Sequence, residues 1–279
     1  MLFLIKTIIK YLLLPLGIIH AVLFRSRDEI IILMYHRVDD GVKKELAVTR
    51  DSFNWHMGYL YRKRYSVISM EKAYSMISNN GIVGRHIVIS FDDGYRDFYK
   101  NAYPILHRYK YPSIMYLCPG YIESPKKFWW DLDETDAELM EWKEIYELDG
   151  DGLVEFGSHT VEHRDMNLVS PAELEREIVE SKTMLEKGLQ KPVRHFAYPR
   201  GIYSKAGEQL LRKHYDTAVL ISNGERIVKK GIKQTHALKR IPVLRSDGRY
   251  LFIARIKGWL AMEELTRKYF LTRHHRREA

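Results

Sequence analysis

Short, continuous apolar runs alternate along the chain with longer stretches in which apolar residues recur at helical spacing. Phe53, Met57 and Leu60 illustrate the helical stretches. The apolar runs, which we predict to be β-strands, are Ile30–Met34, His86–Phe91, Ser113–Leu117, Val154–Gly157, Val193–Ala197, Thr217–Ile221 and Ala237–Leu244. Near-continuous apolar strands separated by helices are typical of a parallel sheet that is covered on both faces. The pattern therefore predicts an α/β fold, and seven strands fit either an open sheet or a small barrel.

One predicted helix has clear signals at both ends. Ser170 is suited to the N-cap, Pro171 to the first helical position, and Glu173 completes a capping box. Gly188 follows the charged and apolar run of this helix and predicts its end.

The first 28 residues form a separate hydrophobic segment that is closed by Arg25 and Arg27. Its uninterrupted apolar part, residues 11–24, is shorter than the roughly 20 residues of a spanning helix, and Pro15 is able to bend it. A membrane-spanning helix and a helix in the membrane interface both fit this pattern. A cleaved signal peptide fits less well, because no convincing cleavage site follows the apolar core. Two bases precede the segment and two follow it, so charge does not orient a span.

Length and composition fit one globular domain with terminal attachments. The chain has 279 residues, of which 46% are hydrophobic, and this is enough to bury a sizeable core. Its net charge of +9 is unevenly placed, because residues 131–151 hold ten acids and one base and carry −9, which leaves +18 for the remainder. Since no nucleic-acid-binding module is visible, we interpret the basic excess as membrane proximity and expect no nucleic-acid partner.

Four of the predicted strands end in reactive side chains. The first strand is followed by His36, the second by Asp92 and Asp93, the fourth by His159 and His163, and the fifth by Tyr198, Pro199 and Arg200. Because the carboxyl ends of parallel strands meet at one edge, we expect all four sets on the same rim.

The aspartate pair and the histidine pair together predict a metal site. His159 and His163 are four residues apart, a spacing that puts both imidazoles on one face of a helical turn. Two histidines and one carboxylate leave an open coordination position for water, as in catalytic sites, and a second aspartate stays free as a base. The single cysteine, Cys118, excludes a cysteine-built zinc site and an intrachain disulfide.

These motifs, in this order and at these separations, resemble a known enzyme family. Ser-Phe-Asp-Asp-Gly at 90–94, Ser-His-Thr-Val-Glu-His at 158–163 and Phe-Ala-Tyr-Pro-Arg-Gly at 196–201 look like the motifs of the polysaccharide deacetylase family, the NodB-homology carbohydrate esterases. The likeness runs from about residue 30 to 245. The opening Leu-Met-Tyr-His strand at 33–36 is similar to the rearranged branch, which includes the deacetylases of bacterial poly-N-acetylglucosamine.

The resemblance implies a distorted (β/α)7 barrel with a divalent metal, usually zinc. The metal would be held by Asp93, His159 and His163, and Asp92 would be the general base. His36 would be the general acid that protonates the leaving amine.

The same likeness assigns the oxyanion site to the turn after the fifth strand. A main-chain N–H just after the Tyr198-Pro199 pair, at Arg200, would share the tetrahedral oxyanion with the metal.

Asp39 and Asp40 follow His36 closely enough to orient its imidazole or raise its pKa, and the sequence does not fix which of them does so.

Two features depart from the family pattern or add to it. Other branches carry an arginine two residues before the proline, as a partner for the catalytic acid, where this chain has Ala197. Arg240 is the best-placed replacement, and an ordinary structural arginine is the alternative. Trp129 and Trp130 fit either sugar-stacking residues or hydrophobic anchors of the acidic insertion that follows them.

We therefore expect three parts: a membrane-anchor segment at 1–28, a deacetylase-like barrel at 29–248 with an acidic insertion at about 124–152, and a basic amphipathic C-terminal helix and tail at 249–279. The C-terminal helix either packs on the barrel or leans on an anionic leaflet. The expected location is the bacterial cell membrane, on a side that the sequence leaves open.

The expected function is metal-dependent removal of N-acetyl groups from an N-acetylhexosamine-containing glycan or glycolipid precursor. O-deacetylation of a polysaccharide is the alternative within the same chemistry. A catalytically silent carbohydrate-binding or scaffold protein is the alternative from another class, and Ala197 motivates it.

Overall fold

A computed structural model describes residues 2–134, 137–221, 228–229, 231 and 234–262 of the chain. The strands are β1 (Glu29–Tyr35), β2 (Arg37–Val38), β3 (Ala47–Val48), β4 (Ser66–Val67), β5 (Arg85–Phe91), β6 (Ser113–Leu117), β7 (Val154–Ser158), β8 (His195–Ala197), β9 (Thr217–Ile221), β10 (Val228–Lys229) and β11 (Leu238–Pro242).

The helices lie between these strands and at both ends of the described chain. They are α1 (Leu2–Phe24), α2 (Arg50–Arg62), α3 (Met70–Ser78), α4 (Tyr103–Tyr109), α5 (Trp142–Asp151), α6 (Pro171–Glu175), α7 (Ser181–Leu189), α8 (Lys205–His214) and α9 (Gly248–Ile256). Single π-helical turns, Phe98–Ala102 and Arg176–Glu180, precede α4 and α7, and short 3₁₀ turns occur at Pro119–Tyr121, Trp129–Asp131, Pro199–Gly201 and Arg245–Asp247.

Seven parallel strands close into a barrel. The order is β1-β11-β9-β8-β7-β6-β5, and β1 pairs in parallel with both β11 and β5, so the ring has no open edge. The short strands β4 and β10 extend the sheet beside β5 and β1. This closure resolves the choice between an open sheet and a barrel and confirms the expected (β/α)7 architecture.

All seven predicted strands are present, and the alternation of their side chains builds two cores. Ile31 and Leu33 of β1 belong to the large core beneath the surrounding helices, whereas Ile30 and Ile32 belong to the core inside the barrel. Because both faces are buried, the strands needed continuous apolar sequence.

The helix that begins at Pro171 has the predicted start and a different end. Ser170 and Glu173 form the capping box. The prediction that Gly188 ends the helix is wrong, because α7 continues to Leu189 and ends at Gln190, which has a φ of 52°. A Cβ at position 188 would lie 2.1 Å from the Trp142 ring. This glycine therefore allows close packing of α7 against α5.

The two ends of the described chain pack together on the outside of the barrel. Leu14 of α1 contacts the apolar cluster of Leu251, Ala254 and Leu260. α1 is long and apolar enough to cross a membrane by length and composition alone. Of the predicted basic C-terminal helix, residues 249–256 form most of α9 and pack on the barrel, and residues 263–279 lie outside the described residues.

Candidate active site

The carboxyl-terminal rim of the barrel surrounds a cavity of about 460 Å³. His36, which follows β1, lines it, as do Asp92 and Asp93 after β5 and the two histidines that follow β7. Three short chain segments that are far apart in sequence thus meet at one end of a rigid sheet, which is how parallel barrels build their sites.

Three buried side chains in this cavity have the arrangement of a metal site. One potential ligand atom each from Asp93, His159 and His163 lies within 4.8 Å of the other two. The Nε2 atoms of both histidines are 3.7 Å from Asp93 Oδ1. Among the described residues, Asp93 Oδ1 has no hydrogen-bond partner although it is buried. A buried carboxylate oxygen without a donor fits a cation between these three groups.

A loop, and not a helical turn, brings the two histidines together. The segment after β7 has no helix, and Thr160 and His163 have positive φ values of 68° and 54°. The prediction that both imidazoles share one face of a helical turn is therefore wrong, although the loop does bring the two rings together. His159 is oriented from behind, because its Nδ1 lies 2.8 Å from the carbonyl oxygen of Ala197 and donates to it. This bond leaves the Nε2 lone pair facing the cavity.

The electrostatics of the three residues favour a bound cation. Burial, together with the negative charges of Asp92 and Asp131, raises the pKa of Asp93 well above its usual range. Burial lowers the pKa of His159 and His163, so both imidazoles are neutral. Two neutral imidazoles and an uncompensated buried carboxylate are the donor set of a catalytic zinc-type site.

Asp92 has a different environment from its neighbour. Arg240 reaches across the barrel from β11 and donates to both carboxylate oxygens of Asp92, over 2.6 and 2.7 Å. Burial would raise the pKa of Asp92, but the Arg240 guanidinium outweighs it and holds that pKa well below its usual range. Arg240 is thus the cation paired with Asp92 in this chain, which has alanine at position 197.

His36 faces Asp92 across the cavity. Its Nε2 is 3.9 Å from Asp92 Oδ2, and within the described chain its buried Nδ1 has no hydrogen-bond partner. Burial lowers the pKa of His36 to about 4, and the nearby Asp92 offsets only part of this effect.

The expectation that Asp39 or Asp40 orients His36 is wrong. Asp39 accepts from the main-chain N–H groups of Gly41 and Val42. Asp40 accepts from the main chain of Arg50. Both carboxylates therefore stabilise the loop after β2, and Asp92 is the carboxylate that faces the imidazole of His36.

Residues of the turn after β8 have two roles, because some support the fold and one lines the cavity. Tyr198 is fully buried and donates its hydroxyl to the carbonyl of His236 over 3.1 Å. Pro199 is also buried, and neither residue lines the cavity, whereas Arg200 does. Arg200 has a φ of 53°, and its side chain binds Asp165 over 2.8 Å. The side chains of Tyr198 and Pro199 thus support this turn, and Arg200 is its residue at the cavity.

The two adjacent tryptophans have separate environments. Trp130 stacks on Phe128 with ring centroids 4.7 Å apart and packs at the same distance against His163. Its indole N–H donates to Tyr95 Oη over 2.9 Å. Trp129 is 69% exposed and lines the mouth of the cavity. The anchor interpretation therefore fits Trp130, and Trp129 is the indole left for a ligand.

The cavity also contains a polar network that the sequence patterns do not predict. Tyr95 donates to the buried carboxylate of Asp131, which also accepts from Lys44 over 2.8 Å. All three residues line the cavity. Tyr95 directly follows the Asp-Asp-Gly motif, which could have drawn attention to it. Asp131 is one of ten acids in its segment, and nothing in the sequence singles it out.

Comparisons with known proteins point to one family. The family model for polysaccharide deacetylase matches residues 81–219. The Bacillus subtilis protein YxkH, named as a polysaccharide deacetylase, is 24% identical over 228 residues, which are 81% of this chain and 76% of YxkH. A Staphylococcus aureus poly-beta-1,6-N-acetyl-D-glucosamine N-deacetylase is 24% identical over 178 residues, 61% of this chain and 59% of that protein. The chain thus spans about three fifths of the length of this second relative.

Solved structures give the same answer for the fold. The Streptococcus pyogenes deacetylase PplD, determined with acetate, matches with a TM-score of 0.70 and 26% identity over 83% of this chain and 99% of its own. IcaB from Ammonifex degensii has the same TM-score at 19% identity, over 84% of this chain and 97% of its own, and shows the shared fold. With the closed barrel and the ordered rim motifs, these matches show that the chain belongs to the polysaccharide deacetylase family of hydrolases.

Proposed function

We propose that this protein is a metal-dependent N-deacetylase of an N-acetylhexosamine-containing glycan or glycolipid precursor at the bacterial envelope. The observation that carries the proposal is the pairing of an open donor set, Asp93, His159 and His163, with the Arg240-bound carboxylate of Asp92 in one cavity. The S. aureus relative, whose name gives poly-N-acetylglucosamine as its substrate, supports the amide over the ester.

The donor set suits a divalent ion, most simply zinc. When bound, such an ion would acidify a water and polarise the acetamido carbonyl. Asp93 and the two histidines would hold it through the carboxylate Oδ1 and the two Nε2 atoms that already converge. The hydrogen bond from His159 Nδ1 to Ala197 fixes the tautomer that this role requires.

Asp92 and His36 divide the proton transfers. Asp92 is ionised because Arg240 holds it so, and its Oδ2 accepts the proton of the attacking water. His36 is neutral at pH 7 and faces the same oxygen at 3.9 Å, so it receives this proton and passes it to the leaving nitrogen. The main-chain N–H of Arg200 is the proposed second donor to the oxyanion.

The test is acetate release by the purified, zinc- or cobalt-loaded chain across a small panel. The panel holds N-acetylglucosamine oligomers, membrane-linked N-acetylhexosamine precursors and O-acetylated xylan. We expect release from an N-acetylated member and none after chelation, with recovery on adding metal. Release from xylan alone would identify an esterase, and no release from any metal-loaded sample would contradict the proposal.

Asp92→Asn separates chemistry from metal binding. This variant removes the proton acceptor, so turnover should fall by roughly 10²–10⁴-fold while the metal content stays at one per chain. Loss of the metal in this variant would instead make Asp92 a ligand and overturn its proposed role. A folded wild-type chain that binds no metal would favour the silent carbohydrate-binding alternative.

A further inference from the structure

One face of α1 is seated on the catalytic domain along most of its length. The residues that point inward are Thr7, Lys10, Leu14, Gly17 and Ala21, which recur every three or four positions. They span fifteen residues of helix, from Thr7 to Ala21, or about 21 Å. α1 thus lies alongside α9 and the turn before it, and does not project away from the domain.

Specific contacts fix the position of α1 on the domain. Lys10 is 2% exposed and binds Asp247 Oδ1 over 2.7 Å and Ser246 Oγ over 2.9 Å. At Gly17 a Cβ would lie 1.7 Å from the carbonyl oxygen of Trp259, so only glycine allows this approach. A cleaved signal peptide would leave these partners behind, so the contacts indicate a helix that is retained.

The opposite, exposed face of α1 is apolar, whereas the exposed face of a helix in a soluble protein is usually polar. Ten of the twenty exposed large hydrophobic side chains in the described residues lie between Ile8 and Phe24. Leu12 is 72% exposed and Val22 79%. From residue 7 to residue 24 the one charged side chain, Lys10, points at the protein. An apolar exposed face of this extent is unusual in water and is typical of contact with lipid.

We propose that α1 lies flat in the interfacial layer of an anionic bilayer, docked on its own barrel, and that the enzyme is a monotopic membrane protein. A spanning α1 would carry its docked partners into the hydrocarbon. Those partners include Asp247, which forms a buried ion pair with Arg255, and the exposed Arg249 follows Asp247 by two residues. An in-plane helix keeps this polar side toward water and buries only its apolar side.

Basic residues follow the contact between α1 and α9 in the sequence, which fits anionic headgroups. The chain leaves the described residues at Met262, next to the α1 contact, and continues into a stretch, 267–279, with five Lys and Arg and one acid. Lys257 lies 4.6 Å from the ring of Trp259, a pairing typical of the membrane interface. The tail itself is a poor cover for α1, because only five of the seventeen residues at 263–279 are hydrophobic, whereas eight are charged.

The docked helix also places the cavity near the membrane. Ser246, which accepts from Lys10, donates to the carboxylate of Glu45, and the neighbouring Arg245 donates to the carbonyl of Ala47 over 3.0 Å. Glu45 and Ala47 line the cavity. Two residues thus link the helix to the cavity wall. This deepens the proposed function, on which it rests, by assigning a membrane-resident glycolipid as the substrate class.

Vesicle binding tests the membrane surface without any assay of deacetylation. The full-length chain should float with vesicles of phosphatidylglycerol and phosphatidylethanolamine. Replacing Leu12, Leu16 and Ile19 together by Gln should weaken this binding on the order of a hundredfold. The matched control replaces three exposed apolar residues elsewhere, Val83, Tyr146 and Met184, by Gln and should bind like wild type. Equal binding by both triple variants would overturn the proposal, as would a soluble dimer that ignores vesicles.

Depth measurement separates an in-plane helix from a span. Nitroxide labels placed singly at cysteines replacing Ile8, Leu12, Ile19 and Leu23 should all report a similar shallow depth, about 5–10 Å below the headgroups. A span would instead give a depth that rises toward the middle of the helix, to about 15 Å in a hydrocarbon core of about 30 Å. That profile would contradict the proposal even if the variants above bind as expected.

The substrate class has its own readout. The Gln variant of the exposed face should deacetylate a soluble N-acetylglucosamine oligomer at the wild-type rate and a vesicle-held glycolipid at least tenfold more slowly. Equal losses on both substrates would reject the membrane-resident substrate. An inactive wild-type chain that still floats with vesicles would reject the deacetylase function and leave the membrane surface standing.

Discussion

Two buried aspartates, Asp247 beneath α1 and Asp93 in the cavity, differ in how completely their carboxylate oxygens are hydrogen-bonded. Asp247 accepts from Lys10, from two nitrogens of Arg255 and from the main chain of Leu244, so both of its oxygens are saturated. Asp93 is equally buried, and within the described residues its Oδ1 has no donor at all.

Their pKa values move in opposite directions for this reason. Burial would raise the pKa of Asp247, but Arg255 and Lys10 outweigh it, and the pKa falls below its usual value. Burial and the neighbouring carboxylates raise the pKa of Asp93. A saturated buried charge holds structure together, and an unsaturated one is kept ready for a ligand. The contrast separates the contact between α1 and the domain from the candidate metal site without reference to sequence motifs.

The largest expected effect comes from breaking this contrast at the metal position. Asp93→Ala should lose the bound metal and at least roughly a thousandfold in turnover, because the ion supplies several kcal/mol of charge stabilisation. Metal content by elemental analysis and acetate release measure the two losses.

The matched variant is Asp247→Asn, which changes an equally buried acid. It should lower the free energy of unfolding and leave the turnover of the folded fraction on soluble oligomers near wild type. If Asp93→Ala keeps its metal, or Asp247→Asn loses turnover as severely, the distinction between the two acids fails.

The next effect is on stability at the rim. Arg240→Met leaves Asp92 buried and unpaired, which should cost about 3–5 kcal/mol in the free energy of unfolding, measured by denaturant titration. Adding Asp92→Asn should restore part of this loss, because the uncompensated charge is removed, and turnover should stay absent. A double variant no more stable than Arg240→Met would mean that the two side chains act independently.

A smaller effect is expected from pH, through histidines away from the metal. Burial lowers the pKa of His56 and of His195 to about 3, so the unfolded chain binds more protons than the folded one between about pH 6.5 and 3. The contribution of these histidines to the free energy of unfolding is therefore fully present above pH 6.5. It falls as the pH decreases, by about 2 kcal/mol per histidine between pH 7 and 5.

Thermal unfolding at the two pH values measures this slope. His195→Gln should be less stable at pH 7 and should show a shallower decline toward pH 5 than wild type. An unchanged slope in this variant would assign the acid sensitivity to other groups, such as the rim histidines.

The smallest effect concerns the exposed indole at the cavity mouth. Trp129→Ala should raise KM for a soluble oligomer about three- to tenfold with kcat unchanged, the loss of one aromatic contact to a sugar. Trp130→Ala should instead lower kcat or metal affinity, because Trp130 packs on His163. The same response in both variants would remove the distinction between ligand platform and support.

The sequence was sufficient for the strands and for the acids and histidines of the rim. Continuous apolar runs identify strands that are buried on both faces, and the groups after them meet because parallel strands share an edge. Sequence could not supply the left-handed backbone at Thr160 and His163, which depends on the surrounding packing. Nor could it show that Asp131, one acid among ten, turns inward to Tyr95 and Lys44.

Gly188 and Gly17 show the same limit. A glycine near the end of a helical pattern suggests a stop, yet the space beside Gly188 is filled by Trp142 and that beside Gly17 by the backbone of Trp259. Close approach between elements far apart in sequence leaves no local signature.

The Asp92 and Arg240 pair also bears on how the chain is made. The two residues are 148 positions apart, so β5 emerges from the ribosome long before β11 exists. Until then Asp92 has no counterion and its burial would be strongly unfavourable, which keeps the rim open to water. Consequently, the ring closes and Asp92 gains its counterion in the same step. A chain whose synthesis stops before β11 carries no working site.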